Sequence, residues 1–177
     1  MNDIIKFLEE IGKLKKIKRT GWVINKIPEP ESVAEHIFRV SIMALIFSDK
    51  FKLDENKCIK MAMIHDLAEA LEGDITPYDK IDEKSKHEIE EKAMKKLIKE
   101  IDNKEILELW QEYEEKNTPE AKFVYDLDKF EMLLQAYEYE KKYNDINLQN
   151  FWDMWKNKIE NDKLKEMCEF IFSKRNL

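Results

Sequence analysis

The stretch Met61-Ala-Met-Ile-His65-Asp66-Leu-Ala-Glu69 sets three ionisable side chains into a run that is otherwise apolar. Cys58, Met61, Ala62, His65 and Ala68 recur at helical spacing through it. Asp54 stands where an N-cap belongs, and Gly73 where a helix stops. A helix from Asp54 to Gly73 is therefore expected. Burying its His-Asp pair is costly unless each member is hydrogen-bonded, paired or coordinated.

The chain on either side reads the same way. Ser32-Val-Ala-Glu35 is a capping box that opens a helix to about Phe51, with Val33, Ile37, Val40, Ala44 and Phe47 on its apolar face. Before it, Ile4, Phe7, Leu8, Ile11 and Leu14 fall at helical spacing. The first break is expected at Thr20-Gly21, with Pro28 and Pro30 holding the next stretch extended. After Asp82 come a long charged helix and a shorter one with Trp110 and Tyr113. Thr118-Pro119 then starts a helix that runs to about Lys142. Two more follow within residues 147–177, carrying Trp152, Trp155 and Ile159, then Leu164, Met167, Phe170 and Ile171. The expected fold class is all-α: residues 1–177 as one globular bundle of about seven or eight helices.

Composition limits the alternatives. At 177 residues the chain suits one well-buried domain. Three glycines and four prolines supply too few turns for a barrel or sandwich, and no glycine-rich phosphate loop can be written. Charged residues reach 39%, yet a hydrophobic content of 43% still builds a core. A net charge of −7 gives no global footprint for nucleic acid. The longest nearly apolar run, Val40 to Phe47, is far too short to span a membrane. Asp3, Glu9 and Glu10 do not suit a secretory leader. Cys58 and Cys168 form no CxxC motif, so a reduced, cytoplasmic protein is the simplest expectation.

Three places offer metal-ligand chemistry: His36 one turn into the capped helix, His65-Asp66, and Asp128 in Phe123-Val-Tyr-Asp-Leu-Asp-Lys-Phe130. Imidazole nitrogen and carboxylate oxygen suit a divalent ion, and helical bundles build such sites from facing helices. Asp126 and Asp128 sit about 200° apart on a helix and cannot face one site. Each residue alone has a plainer reading: a hydrogen-bonded core histidine, a polar pair within a helix, a solvated aspartate. The order His, His-Asp, Asp is more specific than its parts. His87, among Lys84, Ser85, Lys86 and Glu88, reads as a solvated histidine.

The ordered segments Arg19-Thr-Gly-Trp22, Glu31-Ser-Val-Ala-Glu-His36, His65-Asp-Leu-Ala-Glu69, Gly73-Asp-Ile-Thr-Pro77, Leu127-Asp128 and Gln135-Ala-Tyr-Glu-Tyr139 carry a resemblance. They resemble the HD-domain metal-dependent phosphohydrolases, in the branch that hydrolyses deoxynucleoside 5′-monophosphates. The resemblance covers roughly residues 5 to 140. It implies that His36, His65, Asp66 and Asp128 ligate one divalent metal: Co, Mn, Mg, Zn, Fe or Ni. It further implies Glu69 and Asp74 as catalytic acidic groups, Arg19 as a phosphate ligand and Trp22 near the sugar. A homodimer is implied too, with the C-terminal helices serving as packing or subunit contact.

The residue chemistry agrees with that implication. A metal acidifies a bound water and polarises a phosphoryl group, and an arginine fork fits phosphate oxygens. Glu69, three residues after Asp66, would share its face of a continuous helix. Acid and base roles of Glu69 and Asp74 stay open. Two rival functions also stay open: the same site acting on a cyclic nucleotide, a triphosphate or an alarmone, and a non-catalytic helical module that senses metal or nucleotide.

Overall fold

A computed structural model describes residues 2–99, 101–155 and 158–175, with the side chains of 154 and 155 outside the description. Its helices are α1 (Asn2–Gly12), α2 (Thr20–Ile24), α3 (Val33–Phe47), α4 (Glu55–Ile64), α5 (Glu69–Glu72), α6 (Glu83–Lys99), α7 (Lys104–Glu115), α8 (Pro119–Lys142), α9 (Gln149–Trp155) and α10 (Asp162–Phe172). The described residues include no β-strand beyond a single bridge between Lys18 and Ser32. The all-helical class holds, and the helices of seven residues or more match the expected number.

Local chemistry fixes the ends. Ser32 accepts from the Glu35 amide, and the Glu35 carboxylate accepts from the Ser32 amide at 2.5 Å, completing the box that starts α3. Asp54 caps α4 through the Lys57 amide. Thr118 caps α8, with Pro119 at its first helical position. α8 is the axis of the bundle: α3, α4, α7, α9 and α10 all pack on it. Val124, Leu127, Leu133 and Ala136 of α8 are buried with Val40 and Ala44 of α3 and Met61 of α4. A second apolar cluster joins Leu14, Val33, Ile64, Met94, Leu97 and Trp110.

The C-terminal segment completes the main cluster with Leu148 before α9, Trp152 of α9, and Leu164 and Cys168 of α10. The Trp155 side chain lies outside the described residues. Asp126 accepts from the amides of Glu160 and Asn161, tying α8 to the start of α10. It thus points away from Asp128, as the helical spacing requires.

Three expectations change. α3 ends at Phe47 and only a 3-10 turn continues to Phe51. More consequentially, the helix expected from Asp54 to Gly73 breaks after Ile64. His65 donates from Nδ1 to the carbonyl of Ala62 at 2.8 Å, the acceptor a continuous helix offers to the Asp66 amide. Residues 65–68 form tight turns before α5 resumes. The N-terminal break also comes earlier than Thr20: the chain turns after Lys15, and Thr20 opens α2. Gly21 belongs inside that helix because a Cβ there would meet the Phe151 ring at 3.2 Å.

Removing the Ser32 hydroxyl withdraws one N-terminal acceptor from a helix that supplies a site residue in its second turn. Ser32→Ala is expected to cost about 1 kcal/mol, measured by urea unfolding of metal-free protein. A cost near zero would mean the Glu35 half of the box suffices.

Candidate active site

The break in α4 brings His65 and Asp66 up against α3 and α8. His36 Nε2 lies 3.3 Å from His65 Nε2, 3.3 Å from Asp128 Oδ1 and 3.6 Å from Asp66 Oδ2. His65 Nε2 is 3.3 Å from the same Asp66 oxygen. His36, His65 and Asp128 are at most 5% exposed, and Asp66 is half-buried.

The ring orientations are set from behind. A carbonyl only accepts, so Ala62 requires a proton on His65 Nδ1, which leaves Nε2 facing the cluster. His36 Nδ1 meets the Glu131 carboxylate at 2.5 Å, which turns its Nε2 the same way. Two imidazole nitrogens and two carboxylates thus converge from three helices. Donors at about 2.1 Å from one ion lie about 3.0–3.4 Å apart in tetrahedral or octahedral geometry. The spacings among His36, His65 and Asp66 suit a divalent ion with nitrogen and oxygen donors, and Asp128 stands against this group through His36.

Cations and anions balance around this group. Burial and Arg19 oppose charging His36, but Glu131 and Asp128 outweigh them and push its pKa up to about 10. Burial would raise Asp66, yet His65, Arg19 and His36 hold it well below the usual carboxylate range. Asp128 is likewise held low against its burial, by Lys129 at 2.8 Å and by the two histidines. Tyr113 donates at 3.3 Å to the same Asp128 oxygen, Oδ2, that Lys129 meets.

Arg19 reaches the cluster from the start of α2, with Nη1 3.3 Å from Asp66 Oδ2 and 3.7 Å from Asp74 Oδ1. Asp74 is anchored by the Thr20 amide at 2.5 Å, and its carbonyl accepts from the Thr20 hydroxyl at 2.8 Å. Gly73, at φ +79°, makes the turn that returns Asp74 towards Arg19. Glu69 is 4% exposed, and its Oε2 has no hydrogen-bond partner among the described residues. Burial, with Asp66 and Asp74 nearby, pushes its pKa well above the ordinary value. Lys86 of α6 feels both Asp66 and Glu69 while paired with Glu90 at 3.2 Å.

Seven of the eight expected residues therefore gather in one region. Trp22 does not open onto it: the ring is 2% exposed, stacked on Phe151 at 4.5 Å and edge-on to Tyr139. Its indole N–H donates to Glu31 at 2.8 Å. A side chain so enclosed has no free face, so the expected contact with a sugar gives way to packing behind Glu31. His87 stacks on Trp110 and pairs with Glu114 at 3.0 Å, away from the ligand group.

The family model described as HD domain matches residues 11–167. The chain belongs to the HD-domain family. This HD-domain chain is 41% identical to the mouse protein named 5′-deoxynucleotidase HDDC2, over 98% of its own length and 88% of the relative's. It is 42% identical to the Dictyostelium discoideum protein of the same name, over 99% and 100% of the two lengths. A solved structure titled a conserved hypothetical protein from Pyrococcus furiosus superposes with a TM-score of 0.82 at 36% identity, covering 96% and 99% of the two chains.

Reading the HD-domain sequence for isolated motifs missed Glu131, Arg39, Glu31 and Lys129. Glu131 had a usable signal, a lone carboxylate between Phe130 and Met132 on an apolar face. Glu31 had none, because its raised pKa depends on Glu131, distant in sequence; Lys129 pairs with its own neighbour Asp128.

Glu31 gives a test of these electrostatics. Burial and the neighbouring Glu131 raise its pKa to about 7, with His36 opposing. The folded state then keeps a proton that the unfolded chain has lost, so stability falls as pH rises from the ordinary glutamate value towards 7. In chelator-treated protein, wild type is expected to lose more melting temperature between pH 5 and pH 8 than Glu31→Gln. Equal losses would show that Glu31 does not titrate in that window.

Proposed function

We propose that this protein is a metal-dependent phosphomonoesterase that hydrolyses deoxynucleoside 5′-monophosphates to deoxynucleoside and orthophosphate. One observation carries the reading: His36, His65 and Asp66 set donor atoms close enough for a divalent ion, with Asp128 3.3 Å from His36, beside an arginine and a buried glutamate whose Oε2 has no partner among the described residues. A structural metal needs neither of the last two. The relatives' printed name, 5′-deoxynucleotidase, supplies the substrate class.

His36, His65, Asp66 and Asp128 would hold the ion. When bound, such an ion supplies an acidified water and polarises the phosphoryl group. Arg19 binds the phosphate, its guanidinium held in place by Asp66 and Asp74. Asp74, fixed by Thr20, keeps that fork aimed at the site. Glu69, whose pKa burial pushes well above the ordinary value, has an oxygen with no partner among the described residues and can pass a proton to the departing 5′-oxygen as general acid. Lys86 adds positive charge at the edge, favouring an anionic substrate.

The working form we propose is a cytoplasmic homodimer. Phe38, Ile42 and Leu45 stand 68%, 40% and 45% exposed on the outer side of α3 and favour a subunit contact. Both cysteines are buried and free, in keeping with a reducing compartment. Among the described residues, no helix is long and apolar enough to cross a membrane.

Orthophosphate release from 5′-deoxynucleotides, 5′-ribonucleotides, 3′-nucleotides and cyclic nucleotides tests the function, using metal-stripped protein refilled with Co, Mn, Mg or Zn. Metal-dependent release confined to 5′-deoxynucleotides is expected. Glu69→Gln should lower kcat about 10²–10⁴-fold, and Asp66→Ala should abolish release. Full activity in either folded variant, or release from another substrate class alone, would contradict the proposal.

A further inference from the structure

His36 is the most enclosed of the candidate ligands, and its far side rests on an ion pair that hydrolysis does not use. Glu131 lies one turn beyond Asp128 on α8 and is fully buried. Its Oε2 is 2.5 Å from His36 Nδ1. Its Oε1 accepts from Arg39 Nε at 2.8 Å and lies 2.7 Å from Arg39 Nη2. Arg39, in turn, lies one turn beyond His36 on α3. Its remaining N–H groups donate to Gln135 and, at 2.7 Å, to Glu138, both on α8. Each of the two helices therefore supplies a candidate ligand and, three residues later, a member of the pair behind it.

This arrangement is expensive to build for packing alone. A buried carboxylate needs several charge-assisted bonds to offset desolvation, and here one of them is spent on a histidine. An anionic acceptor at Nδ1 does two things to an imidazole. It selects the tautomer whose lone pair is on Nε2, and it makes that lone pair more basic. His65 receives only the first effect, from the Ala62 carbonyl.

We propose that Glu131, clamped by Arg39, is a positioning residue that sets the metal affinity of the site through His36. The proposal rests on the reading of His36 as a metal ligand. Arg39 fixes the carboxylate so that it faces the ring in one orientation, and the ring in turn faces Asp66 and Asp128. Loss of Glu131 frees the ring to rotate and to exchange tautomers, while the four ligands stay in the sequence.

Calorimetric titration of metal-stripped protein with Mn²⁺ tests this, alongside thermal unfolding without metal. Wild type is expected to bind one Mn²⁺ per chain. Glu131→Ala should bind it 10–100-fold more weakly. Glu131→Gln, whose amide oxygen still accepts from Nδ1 but carries no charge, should fall between the two. It also decides the matter if the alanine variant does not fold. Saturating Mn²⁺ should return kcat of Glu131→Gln to near the wild-type value. Unchanged Mn²⁺ affinity in the folded variants, even with a lower metal-free melting temperature, would reduce Glu131 to a structural residue and leave the metal site standing. Failure of wild type to bind Mn²⁺ would overturn the site and this role together.

Discussion

Ionised groups buried together must neutralise one another, and that requirement organises this bundle. Asp66, Asp128 and Glu131 carry negative charge into an interior where each alone would be costly. Arg19, Arg39 and Lys129 reach in from three different segments to meet them. The two histidines sit between these charges with both ring nitrogens engaged. Apolar contacts along α8 bring the helices together, but the polar centre selects how α3 and α4 rotate against it. A rotation that improved packing at the expense of these pairs would leave a buried charge uncompensated.

The break at His65 follows from the same requirement. A continuous helix would satisfy the Ala62 carbonyl with a backbone amide and leave His65 Nδ1 without a fixed partner. The imidazole takes that carbonyl instead, and the chain bends through residues 65–68. Through the bend the Glu69 amide bonds the Asp66 carbonyl at 3.2 Å, and α5 is one turn long. Gly73 then returns Asp74 to α2, where Thr20 and Arg19 meet it. Local propensity gives way here to the geometry of a polar site, as is common where structure serves chemistry.

The sequence disclosed elements more readily than exceptions. The Ser32-Glu35 box, the Asp54 cap and the Thr118-Pro119 start act over three or four residues, and all three appear where the pattern put them. The opposed faces of Asp126 and Asp128 follow from helical periodicity alone. His36, His65-Asp66 and Asp128 drew notice as polar residues on apolar faces, and folding brings them within a few ångströms. The helix break stayed hidden because a side chain, not glycine or proline, causes it. Trp22 was misleading because its motif neighbours face the site, whereas its ring turns into the core against Phe151. The Arg39–Glu131 pair joins residues far apart in the chain, which no local pattern can disclose.

The central claim is that one divalent ion is held by His36, His65, Asp66 and Asp128 together. A crystal soaked in Mn²⁺, with anomalous scattering recorded above the manganese edge, tests it most directly. The account predicts one strong peak per chain, within about 2.0–2.3 Å of both Nε2 atoms and of one oxygen from each aspartate. A peak between Glu31 and Glu131 on the far side of His36, or none with the soaked crystal intact, would contradict it.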